Sequence, residues 1–374
     1  MIAEKWCIFH VPNYIDPNAK SGSHVRPPKM IDAFKSIGYN VDIVMGYGST
    51  RKKQIDRIKA EIKKGKKYDF VYSESSTMPT LLTEKNHLPL FPRLDFSFLT
   101  YCKRNNIRIG LFYRDIHWKF EDYKSKVSLP KRMVTIPFYK YDLKKYEKIV
   151  DVLYLPSGQM ASLLNKYKMK KVDLLPPGAV YNSDIVEQRN KYFKCRKEGP
   201  LNIFYVGGVS GIYDLTEVFK AVFHTNNAYL TVCARKEEWE KVKSRYSPFF
   251  NERVKIIHES GESLKKYYMK SDLCCCYFPV SKYMNFSMPI KLFEYLGFVT
   301  PVIATGGMEA GKFVRKWDNG FCIDYDDYSM IELLEQINKD QDILLDKHKN
   351  SVTCLMKNTW EERALKVVKD LKGE

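Results

Sequence analysis

A lysine and a glutamate three residues apart, Lys291 and Glu294, stand in the stretch FPVSKYMNFSMPIKLFEYLGFVTPVIAT, from Phe278 to Thr305. Pro289 is tolerated in the first turn of a helix, because the amide hydrogen it lacks would go unpaired there in any case. Positions i and i+3 then share one helix face. Beyond Gly297, the run Pro301-Val302-Ile303-Ala304-Thr305 is apolar enough for a strand buried on both sides. A cation and a carboxylate one turn apart, near a helix start and beside a buried parallel strand, suit a ligand with both phosphate and hydroxyl groups. The plainer alternative is a solvated helix pair worth about a few tenths of a kcal/mol.

The elements that must position these residues follow from the pattern on either side. Strand-like and helix-like stretches alternate through the chain, which predicts an α/β protein with doubly wound parallel sheets. Ser21, Gly22 and Ser23 fall where the first strand hands over to the first helix. Small residues there let backbone amides approach an anion, or form an ordinary loop. Glu74, Ser75 and Ser76 end the third strand, as ligand contacts or as caps of the next helix. The fourth strand, Ile107 to Tyr113, runs into Asp115 and His117 at the sheet edge where open α/β folds bind ligands. A histidine there donates to hydroxyls or organises a catalytic centre, and a lone one also serves structure alone. A further strand, Leu201 to Val206, meets the turn Gly207-Gly208-Val209-Ser210-Gly211 and then a helix. That arrangement seats a phosphate on a helix start, or simply permits a tight turn. The turn carries no cation, so Arg235, Lys236 and Lys291 are the candidates to face negative charge.

The stretch from Asn285 to Gly307 resembles the nucleotide-sugar-binding segment of GT-B glycosyltransferases, especially the retaining family 4, or group 1, enzymes. There a Pro-x-Lys-x-x-Glu-Tyr-like helix precedes a Gly-x-x-Pro-Val-Ile-Ala-like strand. Weaker likenesses run through 113–118, 155–178 and 205–211. The resemblance implies the GT-B fold, with two Rossmann-like doubly wound domains facing across a cleft. Residues 1–178 would bind the acceptor, 179–199 would be a linker, 200–355 would bind the nucleotide sugar, and 356–374 would form a helix crossing back. It implies donor contacts from Gly207, Gly208, Arg235, Asn285, Ser287, Lys291 and Glu294, the last on the ribose. His117 and Asp115 would take the catalytic place, with Ser21, Gly22 and Ser23 as an acceptor or phosphate loop. The implied activity is sugar transfer, hexosyltransferase-like and retaining, from a nucleotide-sugar donor to a glycan or polyprenyl-linked acceptor. Such transfer serves cell-surface polysaccharide or glycoconjugate synthesis, with no cofactor and no metal. Two departures stand out. The family glutamate eight residues before Glu294 is Phe286 here, and the cation that often follows the Gly207 turn is missing. A nucleotide-sugar epimerase and a non-catalytic GT-B-like partner of another transferase are the alternatives.

Length and composition agree with two packed domains: 374 residues, 44% hydrophobic and 14% aromatic. The opening MIAEKWCIFHVPNY has no signal-peptide core, and no apolar run approaches a membrane span. Nine cysteines include three in succession, Cys274, Cys275 and Cys276, with no CxxC pair. In an apolar strand they read as small hydrophobes in a reducing cytoplasm. The net charge of +18 is lopsided: residues 1–180 hold 33 Lys/Arg against 17 Asp/Glu, the rest 29 against 27. The basic runs Arg51 to Lys67 and Lys119 to Lys148 suit an anionic membrane surface on the cytoplasmic side, or are simply solvated. No RNA-binding signature or zinc finger accompanies them, which argues against nucleic acid.

Overall fold

Twelve strands in two parallel sheets of six carry the described chain. The computed structural model describes residues 4–18, 22–196, 198–326 and 328–373. Contacts divide them into one unit of Met1–Pro177 with Trp360–Glu374, and a second of Gly178–Thr359.

In the first unit the order is β1 (Lys5–His10), α1 (Gly22–Ser36), β2 (Tyr39–Val44), α2 (Gly48–Lys63), β3 (Phe70–Glu74) and α3 (Leu94–Arg104). It continues as β4 (Arg108–Phe112), α4 (Glu121–Lys126), α5 (Leu129–Ile149), β5 (Val152–Leu155), α6 (Gly158–Leu163) and β6 (Val172–Leu174). The sheet runs β2-β1-β3-β4-β5-β6, so its order reverses between β1 and β3. Such a reversal opens a crevice at the carboxyl ends of the two strands. Glu74 and the start of α1 therefore meet at this end of the sheet.

The second unit begins with α7 (Ser183–Cys195) and then β7 (Leu201–Val206), α8 (Thr216–His224), β8 (Ala228–Cys233), α9 (Lys236–Tyr246), β9 (Val254–Ile257) and α10 (Lys265–Lys270). After it come β10 (Leu273–Cys276), α11 (Ile290–Gly297), β11 (Val302–Thr305), α12 (Glu309–Trp317), β12 (Gly320–Ile323), α13 (Ser329–Lys339) and α14 (Ile343–Met356). Its sheet runs β12-β11-β10-β7-β8-β9 and reverses between β7 and β10. The glycine turn after β7 and the segment leading from β10 into α11 flank that reversal. The α/β class with two doubly wound Rossmann-like sheets, expected from the alternation, is the observed fold.

Strands buried on both faces explain the near-continuous apolar runs. All of β10 and β11 is fully buried, and the three cysteines of β10 are 0% exposed. Burial raises the thiols of Cys274 and Cys275 to about 12, so they pack as neutral hydrophobes. Every cysteine is a free thiol.

Two expectations are corrected. The charged stretch 179–199 is not a linker: most of it is α7, capped by Asn182, whose side chain accepts from the Ile185 amide at 3.0 Å. Arg189 hid this in a polar composition. Its guanidinium is fully buried and donates to Met269 O, Ser271 O and Phe298 O and to the Thr300 hydroxyl, at 2.7–3.3 Å. The helix thereby closes over the carbonyls around β10 and the end of α11. The helix α5 starts at Leu129 and runs on through Pro137. Pro137 lies on the solvent side, where water can satisfy the carbonyl that loses its amide partner. The chain returns to the first unit as α15 (Trp360–Lys372), which packs on α1, β3 and β4. Residues 356–359, expected to belong to this helix, stay with the second unit. No helix among the described residues is long and apolar enough to cross a membrane.

Candidate functional site

In the second unit the site is built on the glycine turn. Gly207 follows β7 with φ +149°, a region that favours glycine, and its amide donates to Cys233 O at 2.9 Å. Lys291, from the first turn of α11, lies against this glycine: a Cβ added to Gly207 would come within 1.6 Å of the lysine Nζ. The missing side chain is thus the space that the ammonium fills. Nζ donates to the Tyr205 hydroxyl at 2.9 Å, and that hydroxyl donates to Gly208 O at 2.5 Å. The rings of Tyr205 and Tyr213 stand 4.7 and 4.5 Å from the ammonium, within cation–π range. Among the described residues Lys291 makes no ion pair. Burial outweighs the favourable charges around it and pulls its pKa down to about 8.

The same turn is fastened from the other side by Glu238, in the first turn of α9. Its Oε1 accepts from the Val209 amide at 2.9 Å and from the Ser210 hydroxyl at 2.7 Å. A Cβ on Gly208 would lie 3.2 Å from that oxygen. Of the three cations the sequence offered, Arg235 is exposed at the cap of α9 and Lys236 is exposed in its first turn, while Glu238 reaches in. Glu294 is exposed one turn beyond Lys291, and its charge helps hold the lysine protonated. Asn285 and Ser287 lie in the turns before α11. The Asn285 carbonyl accepts from the Glu309 amide at 3.2 Å, and the Ser287 amide donates to Met284 O at 3.1 Å. Phe286 between them is buried, its ring 5.2 Å from Tyr283. The position where the family glutamate would stand is part of the core.

In the first unit, Asp115 and His117 follow β4 as expected. The Asp115 carboxylate accepts from the His117 amide at 3.0 Å and lies 3.5 Å from the ring Nδ1. Nε2 faces the Tyr139 hydroxyl at 3.3 Å; since that hydroxyl donates to Thr77 O at 2.7 Å, Nε2 is the donor. Rings of Tyr123 and Tyr139 enclose the imidazole at 5.2 and 5.7 Å. The ring is therefore aimed, and its side chain is 28% exposed. Gly22 and Ser23 open α1; Ser21 lies outside the described residues.

Glu74 is neither a cap nor a surface contact. It is 0% exposed and takes Arg26 Nε at 3.1 Å and Arg114 Nη2 at 2.7 Å. Arg114 Nη1 donates to Gly22 O at 3.3 Å, which ties β4 to the start of α1. Another buried network joins Ser73, His10, Asp95 and Arg51, with His10 Nδ1 2.8 Å from Ser73 Oγ and Nε2 3.0 Å from Asp95. Its serine–histidine–aspartate order does no hydrolysis, because no member is more than 3% exposed. It braces β1, β3, α2 and α3.

Tyr205 and Glu238 were missed in the sequence. A tyrosine in a strand buried on both faces needs a partner for its hydroxyl, and that was the available signal for Tyr205. Nothing local separates Glu238 from the adjacent Glu237, which is exposed. Among the described residues, no group of three or more His, Cys, Asp or Glu could hold a metal ion.

Residues 200–340 match the profile of the family described as glycosyl transferases group 1. No curated protein matches the chain. Sucrose-phosphate synthase from Thermosynechococcus elongatus is 15% identical, with TM-score 0.61 over 97% of each chain. A trehalose-6-phosphate protein from E. coli, bound with UDP-2-fluoro glucose, is 12% identical with TM-score 0.60, over 98% of this chain and 99% of that one. HepE from Anabaena, in complex with UDP and glucose, is 10% identical with TM-score 0.61, over 98% and 100%. The chain thus carries the GT-B fold of glycosyltransferases, with a second unit that matches the group 1 family.

Proposed function

We propose that this protein is a glycosyltransferase that moves a sugar from a nucleotide-sugar donor to a glycan or polyprenyl-linked acceptor, with retention at the anomeric carbon and without a metal. The observation that carries the reading is Lys291, an ammonium held against Gly207 at the reversal point of the second sheet and not neutralised by an ion pair. A donor diphosphate would supply the missing counter-charge. As the bond from the anomeric carbon to the diphosphate breaks, negative charge grows on the departing phosphate oxygen, and the fixed ammonium stabilises it. The acceptor oxygen bonds to the anomeric carbon and releases its proton. Glu294 would accept from the ribose hydroxyls, while Asn285, Ser287 and the Gly207-Gly208 turn line the donor. His117, held by Asp115 and Tyr139, would touch the donor sugar. That two similar folds hold UDP together with a sugar or sugar analogue supports this donor class. Gly22 and Ser23 would meet the acceptor, and the basic first unit would rest on an anionic membrane where surface polysaccharide precursors are assembled.

A second reading, a non-catalytic partner of another transferase, is favoured by Glu238 and Phe286. A carboxylate occupies donors of the glycine turn, and the sugar-facing glutamate is replaced by a core aromatic. One experiment separates them. Thermal shift with a panel of nucleoside diphosphates and nucleotide sugars should raise Tm for at least one, equivalent to about 2.7 kcal/mol at a hundred times Kd. The effect should vanish in Lys291→Ala, and the same ligand should be turned over by the wild type. Binding without any hydrolysis or transfer would support the partner reading; no binding by any member of the panel would reject the transferase.

A further inference from the structure

The first half of α5 turns an apolar face to solvent. Leu129, Met133 and Val134 are 60, 70 and 53% exposed. Pro130 and Pro137 fall on the same side, within about 140° of helix arc. The opposite side holds Tyr139, Leu143, Tyr146 and Ile149, all buried in the unit. Further along, the outward face becomes basic, with exposed Lys140 and Lys144, and exposed Lys131 flanks the apolar tip. Between Lys124 and Lys145 the sole acidic residue is Asp142, which is buried. By contrast α2, equally basic, exposes no large apolar side chain.

An exposed apolar helix tip flanked by lysines can seat its side chains at the headgroup–acyl boundary while the charges meet anionic headgroups. We propose that the N-terminal half of α5 is the docking element, placing Leu129, Met133 and Val134 among the lipids of an anionic bilayer while Lys131, Lys140 and Lys144 meet the headgroups. Charge selects this occupant: an anionic surface complements the face, whereas a second copy of the chain would bring like charges together. The inference rests on the membrane reading of the first unit and assigns it to particular residues.

Flotation of the full chain with phosphatidylcholine vesicles, with and without phosphatidylglycerol, tests it. The wild type should float only with phosphatidylglycerol, and less at high salt. Met133→Asp combined with Val134→Asp should lower partitioning by at least about tenfold. Lys140→Gln and Lys144→Gln should each lower it by about fivefold. Lys52→Gln with Lys53→Gln, on α2, should stay within about twofold of wild type. The substituted side chains are exposed, so the Tm of each variant should match wild type. Full flotation of the Met133/Val134 variant overturns the inference and leaves the membrane reading standing; no flotation of the wild type overturns both. A wild-type dimer that Met133→Asp converts to monomer, with flotation unchanged, overturns it in favour of a second copy.

Discussion

Each sheet holds positive charge at its reversal point, and the two units treat that charge in opposite ways. In the first, Arg26 and Arg114 converge on Glu74, which is completely buried. In the second, Lys291 has a hydroxyl and aromatic faces but no paired carboxylate, and its pKa falls to about 8. Buried charge that is compensated by its own fold holds elements together. A half-buried charge left without an ion pair costs stability and marks a place that an anionic ligand would complete. The contrast separates a charge that braces the fold from one left open to the donor proposed above.

The largest test of this contrast pairs two substitutions of opposite sign. Glu74→Gln leaves two guanidiniums without their anion and should lower stability by about 3–5 kcal/mol in chemical denaturation. Lys291→Met keeps the volume and removes the uncompensated charge, so stability should hold or rise by about 1 kcal/mol while affinity for a nucleoside diphosphate is lost. If Lys291→Met were as destabilising as Glu74→Gln, the two sites would not differ in kind.

The second test uses pH. Under the proposed function Lys291 would hold a diphosphate as a cation, so affinity measured by calorimetry should be flat below about pH 8 and fall about tenfold per unit above it. The stability contribution has the reverse sense. Because the folded pKa lies below that of a free lysine, the unfolded chain holds more protons between about 8 and 10.5, and stability should rise with pH in that window. The Lys291→Met variant should lose both trends.

Gly207→Ala sharpens the comparison at smaller amplitude. Its Cβ would occupy the lysine's position, in a backbone region unfavourable to alanine, which should cost about 1–3 kcal/mol and displace the ammonium. Diphosphate affinity should fall with it. The smallest effect is expected from Glu238→Gln. The amide oxygen still accepts from Val209 and Ser210, but the negative charge beside the turn is gone, so affinity for an anionic donor should rise by about two- to fivefold.

Parts of this were legible before any coordinates. Lys291 could be singled out because Pro289, the i+3 glutamate and the following apolar strand all have local signatures. Gly207 and Gly208 could be found because a hydrophobic run ended in small residues. The brace was not legible: Arg26, Glu74 and Arg114 are widely spaced in the chain, and nothing in Glu74's neighbours distinguishes a buried carboxylate from a helix cap. Arg189 failed in the same way. A charged helix with one buried arginine has the composition of a linker until the carbonyls that receive it are known.

The order of residues alone determined the alternation of strands and helices, the two parallel sheets and the place of the glycine turn, because periodicity and turn chemistry act over a few residues. Only the tertiary structure decided that the turn's cation is Lys291 seated on Gly207, that Glu238 and not Arg235 completes the turn, and that Phe286 belongs to the core. Those outcomes depend on which side chains arrive from distant segments at the same few ångströms. Burial and hydrogen bonding there set charge states that no local pattern records.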